Sequence, residues 1–370
     1  MTEPAVGSAR RRVLLTVSGV VPQGLADAVA SGSRPRVDYV EMAKAFEADL
    51  VDYAEAARRL GRTGRLIERV LGKNIALAWC CFTLRHSYDV IMTDGEQVGL
   101  PYAAFTMVSG RRRARHLMIV HILSVPKKAV LFRLLRLRRR IDEMIVYSSA
   151  QRDFAIESLR MPSPRVTLVP FMVDTEFFAP GSAAGADPVR LVCSAGLEFR
   201  DYPTLVEAVR GLDVRVVLAA ASPWSKRKSE LASVDLPPNV EVVRLDLHQL
   251  RELYARASLV VMPLQEVDFQ AGVTTLLESM AMAKPIICTR TTGQTDVITD
   301  GVTGRYVPVG DVAALRATLL ELLGEPAVAA ALGAAARTWV VEHADILVYV
   351  ALLRARVAHH LGEAGVASVP

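Results

Sequence analysis

Residues Asp268 to Cys288 read DFQAGVTTLLESMAMAKPIIC, a turn, a helix and the start of a buried strand in succession. The pair Ala271-Gly272 is a turn, and a helix opens after it at Val273 or Thr274. The free N–H groups and the positive dipole end of such a helix suit a phosphate. Glu278 follows Thr274 by one turn and shares its face. As an acceptor-only carboxylate it is placed to bind a ribose diol. Pro285 ends the helical region and begins a buried strand.

The same alternation runs outward in both directions. Strand-like apolar runs fall at residues 12–17, 89–93, 117–122, 143–147 and 166–170, and again at 190–194, 214–219, 240–244, 258–263, 285–289 and 304–309. Helix-like stretches lie between them, such as 204–209, 247–257, 274–283 and 312–323. Strands alternating with helices predict parallel sheets covered on both faces. At roughly 100–200 residues per domain, 370 residues hold two such units. The small, turn-rich segment Ala179–Pro188 reads as the linker. The expected organisation is an N-terminal Rossmann-like domain over 1–178, the linker over 179–188 and a second Rossmann-like domain over 189–343. A helix and tail over 344–370 complete it, the helix being a candidate to cross back to the first domain. Ligands of doubly wound sheets bind beyond the carboxyl ends of the strands, so the cleft between the domains is where function is sought.

At this point the 268–288 stretch resembles the signature of retaining GT-B glycosyltransferases of family four (group 1). In that family a Glu, seven residues and a second Glu precede Ala-Met-Ala and a Pro-Val-Ile strand. Glu278 matches the second Glu. Gln270 stands in place of the first, and Ala283 where Gly is usual. Arg200, in the loop that opens with Gly196, fits one of two cations that grip the donor diphosphate, and Leu197 replaces the other. Lys226, Arg227 and Lys228 are candidate substitutes. Val166–Pro180 is similar to the family's entry into the linker.

The resemblance implies a GT-B fold and transfer of a hexose from a nucleotide-diphosphate sugar to an acceptor hydroxyl with retention. Gly196, Arg200, Gln270, Gly272, Val273, Thr274 and Glu278 would hold the donor, with Arg200 and Gln270 also serving transfer. His121, after the strand Leu117–Ile122, would reach the transfer point, with His116 as second choice. Ser18, Gly19, Asp94 and Glu96 also follow strands and would meet the acceptor. There is no Asp-x-Asp metal signature, so neither a metal nor a resident cofactor is expected. Gln270 and Leu197 leave open a catalytically silent nucleotide-sugar-binding or scaffold protein. A nucleotide-sugar epimerase and a soluble natural-product glycosyltransferase are further readings.

The window Gln97–Ile141 holds eleven Lys and Arg and no acid, more than the whole net charge of +5. Within it Lys127–Arg140 reads as an amphipathic helix, with Val130, Leu134, Leu137 and Ile141 on one face and Arg133, Arg136 and Arg140 on another. With Lys127 and Lys128, this surface is expected to meet an anionic membrane. It lacks interleaved aromatics, which argues against nucleic acid. Cys80, Cys81, Cys193 and Cys288 show no metal-ligand spacing and read as buried thiols in a reducing compartment. Arg10–Arg12 before the apolar run Val13–Val21 imitates a secretory signal; the preferred reading is a first buried strand. The apolar segment Ile75–Leu84 is about half the ~20 residues of a membrane span. A cytoplasmic chain, peripheral on the inner membrane face, is the expectation.

Overall fold

The computed structural model describes residues 13–109, 114–181, 190–220 and 234–363. Two six-stranded sheets, parallel throughout, carry the fold. The first comprises β1 (Val13–Thr16), β2 (Asp49–Val51), β3 (Val90–Asp94), β4 (Arg115–Val120), β5 (Glu143–Val146) and β6 (Val166–Leu168), ordered 2-1-3-4-5-6. The second comprises β7 (Leu191–Ala195), β8 (Arg215–Ala219), β9 (Val240–Val242), β10 (Leu259–Met262), β11 (Ile286–Thr289) and β12 (Arg305–Val307), ordered 12-11-10-7-8-9. Eleven of these strands lie on the expected apolar runs. The exception is β2, an edge strand whose three residues Asp-Leu-Val are too few for a periodicity to register.

The pleat explains the continuous apolar runs. Val13 and Leu15 point into one helix-covered layer and Leu14 into the opposite one. In the second sheet Leu191 and Cys193 face one layer and Val192 the other. Where both faces are buried, as at Val13–Leu15 and Leu191–Cys193, successive strand positions are apolar. The signal-like run Val13–Val21 therefore begins with a central strand, flanked by β2 and β3. All four cysteines are buried and unbridged.

The last helix, Ile346–Leu361, lies on the first sheet. Its Tyr349, Val350, Leu353 and Val357 share a core with Val13 and Leu15. The chain thus crosses between the two sheets twice, and the crossings are stitched together. Val173 N–H donates to Ala344 O at 2.9 Å, and Ile346 N–H to Val173 O at 2.9 Å. Asp345 caps the final helix and accepts the Thr175 hydroxyl at 2.6 Å. Arg36 of the first half clasps Asp174 through both its guanidinium (2.6 Å) and its backbone N–H (2.7 Å).

One expectation is corrected. Lys127–Arg140 is not one helix: it runs Pro126–Leu134 and is followed by a short 3-10 turn at Leu137–Arg139. Between them Arg136 takes a left-handed φ of 52°, which breaks the helical register. The anticipated apolar face is split as a result. Leu137 and Ile141 are buried, whereas Val130 is 63% and Leu134 75% exposed.

The final helix is also clamped by charge. Glu143, at the start of β5 and 1% exposed, receives Arg356 Nε and His360 Nε2 at 2.6 Å each and the Thr167 hydroxyl at 2.5 Å. Burial alone would raise its pKa, but these hydrogen bonds outweigh burial and hold it below the ordinary carboxylate value. A depressed folded pKa contributes stability above the unfolded value of ~4.3 that is lost as pH falls through the folded one. Glu143→Gln is therefore expected to cost about 2 kcal/mol in urea unfolding at pH 7, with the difference from wild type shrinking below about pH 4.

Candidate functional site

A cavity of about 240 Å³ lies where the carboxyl ends of the two sheets face each other. His121, Tyr147, Ser148, Gln151 and Phe171 line it from the first half. Glu198, Phe199, Phe269, Gln270, Gly272, Val273 and Thr274 line it from the second. The helix that follows Gly272 runs Val273–Ala281, and its N-terminus opens on this cavity.

Arg200 sits directly behind that wall, 5% exposed and outside the cavity lining. Its guanidinium is turned inward. Nε donates to Ala195 O at 2.9 Å, Nη1 to Glu198 O at 3.0 Å and Nη2 to Thr275 Oγ1 at 3.4 Å. All three acceptors are neutral, and among the described residues no carboxylate pairs with it. Burial accordingly lowers its pKa, a sign of a cation held without compensation. The two glycines make room for it. A Cβ on Gly196 (φ 97°) would meet Nη2 at 2.5 Å, and one on Gly272 (φ 73°) would meet Nη1 and Nη2 at 2.8 Å. Arg200 thus underlies the helix N-terminus, and both project positive potential toward the cavity. Leu197, at the position expected for a second cation, packs against the core instead. Lys226, Arg227 and Lys228 lie outside the described residues.

Glu278 is 7% exposed and does not line the cavity. It accepts the Tyr254 hydroxyl at 3.1 Å, and burial pushes its pKa up to about 7. Gln270 does line the cavity, and its Oε1 is buried with no hydrogen-bond partner in the described structure. An orphaned buried acceptor calls for a donor from outside the chain, such as a sugar hydroxyl.

On the opposite wall His121 Nε2 is 3.0 Å from Asp94 Oδ1, and both side chains are about one-third exposed, at 39% and 31%. Burial opposes the imidazolium, but the Asp94 hydrogen bond and the charges of Asp94, Glu96 and Asp38 outweigh it, so the pKa of His121 is raised. Asp38, which no motif marks in the sequence, is itself raised to about 6, by burial and by Asp94. His116 is a core residue, 1% exposed and 3.0 Å from the Thr93 hydroxyl.

Two residue assignments change. Glu96 is 3% exposed, and its oxygens hold the Lys128 ammonium (2.6 Å) and the His121 backbone N–H (3.0 Å). It fixes the strand end that carries His121 and does not face an acceptor. Lys128 is thereby turned inward, away from the expected membrane surface. Ser18 donates to Asp94 O at 2.7 Å, beside the His121 pair. A Cβ on Gly19 would meet nothing within 4 Å, so no contact among the described residues demands glycine there.

The cleft is latched from the first half by residues that carried no motif. Ser124 donates to Asp268 Oδ1 at 2.9 Å, Gln151 Nε2 to Asp268 O at 3.1 Å, and Ser149 N–H to Asp296 Oδ2 at 3.0 Å. Tyr147 and Ser148 follow β5 directly, so the strand-end rule applied to that strand would have found them.

Residues 196–325 match the family model described as glycosyl transferases group 1. The chain is 26% identical over 203 residues to a GDP-mannose-dependent alpha-(1-6)-phosphatidylinositol monomannoside mannosyltransferase of Mycolicibacterium smegmatis, covering 49% of this chain and 53% of that protein. It is 28% identical over 239 residues to a D-inositol 3-phosphate glycosyltransferase of Nocardiopsis dassonvillei, covering 57% and 54%. The chain thus spans about half the length of these relatives. Sucrose-phosphate synthase of Thermosynechococcus elongatus superposes over 96% of this chain and 100% of its own, with a TM-score of 0.72 and 16% identity. Anabaena HepE in complex with UDP-glucose superposes over 95% and 99%, with a TM-score of 0.70 and 15% identity. The two-sheet architecture is the GT-B fold.

The raised pKa of Glu278 has a measurable consequence. Its contribution to stability is full below the unfolded value of ~4.3 and is lost as pH rises through about 7. Glu278→Gln keeps an acceptor for Tyr254 without a buried charge. It is expected to be more stable than the unliganded wild type by roughly 2 kcal/mol at pH 8. The gap in thermal unfolding narrows as pH falls through about 7 and closes below about pH 4; a gap independent of pH contradicts the assignment.

Proposed function

The chain carries a group 1 glycosyltransferase domain at residues 196–325, and on that premise we propose that it transfers a hexose from a nucleotide-diphosphate sugar to an acceptor hydroxyl with retention of configuration. The observation that carries this reading is Arg200, a buried guanidinium with neutral partners only, underlying a helix N-terminus at the cavity wall. A diphosphate is the ligand that such a pair lacks.

In this reading Arg200 and the N–H groups at Val273 and Thr274 stabilise charge on the leaving diphosphate. Glu278 accepts from the ribose diol, and its ionisation on nucleotide binding is coupled to those donors. Gln270 accepts a sugar hydroxyl. The bond from the anomeric carbon to the phosphate oxygen breaks while the acceptor oxygen attacks on the same face. The acceptor proton passes to the departing diphosphate oxygen. His121, held by Asp94, donates a hydrogen bond near the transfer point, and closure of the cleft orients the reactants.

A lipid-linked or membrane-associated glycan acceptor is favoured. The name of the Mycolicibacterium smegmatis relative, a phosphatidylinositol monomannoside mannosyltransferase, supports it. So does the surface of exposed Val130, Leu131 and Leu134 beside Lys127, Arg133, Arg136 and Arg140. Among the described residues no single helix is long and apolar enough to cross a membrane, so attachment in this reading is peripheral. Gln270 in place of an acid favours a second reading, a silent protein that binds a nucleotide sugar without turning it over.

Thermal-shift and hydrolysis screening against a panel of nucleotide sugars tests the proposal. One donor at about a hundred times its Kd should stabilise the chain by roughly 2.7 kcal/mol. Slow hydrolysis of that donor should be abolished in Glu278→Ala. Stabilisation without turnover in the presence of acceptor lipids selects the silent reading. Absence of stabilisation by every donor and every nucleoside diphosphate overturns both.

A further inference from the structure

A second cavity, of about 210 Å³, lies on the first half and is lined by Phe132, Arg133, Arg136, Arg138, Leu159 and Arg160. Four of its six lining residues are arginines, and no acidic side chain lines it. Each guanidinium offers five N–H donors in a rigid fork. Only two contacts draw on them among the described residues: Arg133 Nε to Ser158 O at 2.8 Å, and Arg138 Nη1 to Arg160 O at 3.2 Å. Most of the donors remain available.

The backbone around this cavity is unusual. Arg136 (φ 52°) and Arg160 (φ 58°) are both left-handed, a conformation that costs energy in any residue with a side chain. The two are 24 positions apart in sequence, yet both strained arginines line one cavity. Two consecutive connections meet here. The 3-10 turn Leu137–Arg139 precedes β5, and Arg160 precedes β6. In a parallel sheet that is the amino end, opposite the end that carries His121 and Tyr147. The cavity is therefore separate from the cleft.

The neighbourhood selects the kind of anion. Beside the arginines, Val130, Leu131, Leu134 and Leu135 are exposed by 63%, 47%, 75% and 39%. A free anion has no use for this apolar surface, whereas a headgroup phosphate attached to acyl chains is bordered by it. We propose that the arginine pocket binds the phosphoryl group of an anionic lipid, as a second anion site on this chain. The proposal rests on the membrane reading above only for the source of the phosphate; the pocket's preference for a phosphoryl group does not depend on glycosyl transfer.

The test is sedimentation of the full chain with phosphatidylcholine vesicles containing about one-third phosphatidylglycerol. Two variants accompany it, with Arg136, Arg138 and Arg160 changed together to Gln or together to Lys. The Gln variant should bind about a hundredfold more weakly than wild type. The Lys variant keeps the charge but loses the bidentate fork, and should still bind about fivefold more weakly. Lys binding equal to wild type reduces the pocket to diffuse surface charge and overturns the proposal, as does Gln binding equal to wild type. Inorganic pyrophosphate without vesicles separates the sources. If it stabilises wild type more than the Gln variant, which keeps the Arg200 site, while vesicles do not bind, the lipid assignment is overturned. Thermal stabilisation by nucleoside diphosphates, read on the same variants, stays at the wild-type level, so failure of the transferase reading is distinguishable from failure of this one.

Discussion

The second half of the molecule is organised around one buried cation. Arg200 lies between two glycine backbones, and its hydrogen bonds go to the end of β7, to its own loop and to Thr275 in the helix after Gly272. A guanidinium in such a place is costly unless its donors are satisfied, and neutral acceptors satisfy its geometry without balancing its charge. Its neighbours reflect that demand. Phe199 adopts a left-handed φ of 57° so that the loop can double back. Phe199 O accepts from Gln265 N–H at 3.0 Å, and Asp201 N–H donates to Pro263 O at 3.1 Å, tying the loop after β7 to the loop after β10. The Tyr202 hydroxyl reaches Gly196 O across the same turn. The result is a rigid wall with excess positive potential, aimed at the cavity.

Other features of the cleft complement that wall. Behind the same wall, burial raises the pKa of Glu278 to about 7, and the Tyr254 hydroxyl donates to it. Gln270 offers a buried oxygen that the described chain leaves without a donor. Across the cavity, His121 is anchored through its backbone to Glu96 and through its ring to Asp94, so its side chain is presented at a fixed angle. The latch of Ser124 and Gln151 on Asp268 brings the two walls together. Asp268 is only two residues before Gln270, so the same contact that joins the two walls also fixes the segment that carries this amide.

Much of this was legible in the sequence for identifiable reasons. A strand buried on both faces, such as β10 (Leu-Val-Val-Met), is apolar at every position and stands out without periodicity analysis. The turn Ala271-Gly272 and the terminator Pro285 bracket a helix whose observed limits are Val273 and Ala281. Less legible were features set by tertiary contacts. Glu96 reads as an accessible acid after β3, but the pairing with Lys128 buries it, and that pairing spans 32 positions. The helix over Lys127–Arg140 has a plausible amphipathic spacing, yet its register is interrupted at Arg136 by packing of Leu137 and Ile141 into the core. Asp38 and Tyr147 carry no motif; tertiary structure brings the charge of Asp38 near Asp94 and His121, and sets Tyr147 in the cavity wall against Tyr349 of the last helix.

In the proposed function Arg200 and the helix N-terminus above it form an anion site for a nucleotide diphosphate. Isothermal titration of the intact chain with uridine, guanosine and adenosine diphosphates, beside Arg200→Gln, addresses it directly. Binding of at least one nucleotide to wild type, weakened about a hundredfold in Arg200→Gln, is the predicted result. Binding of equal strength to both proteins would contradict it.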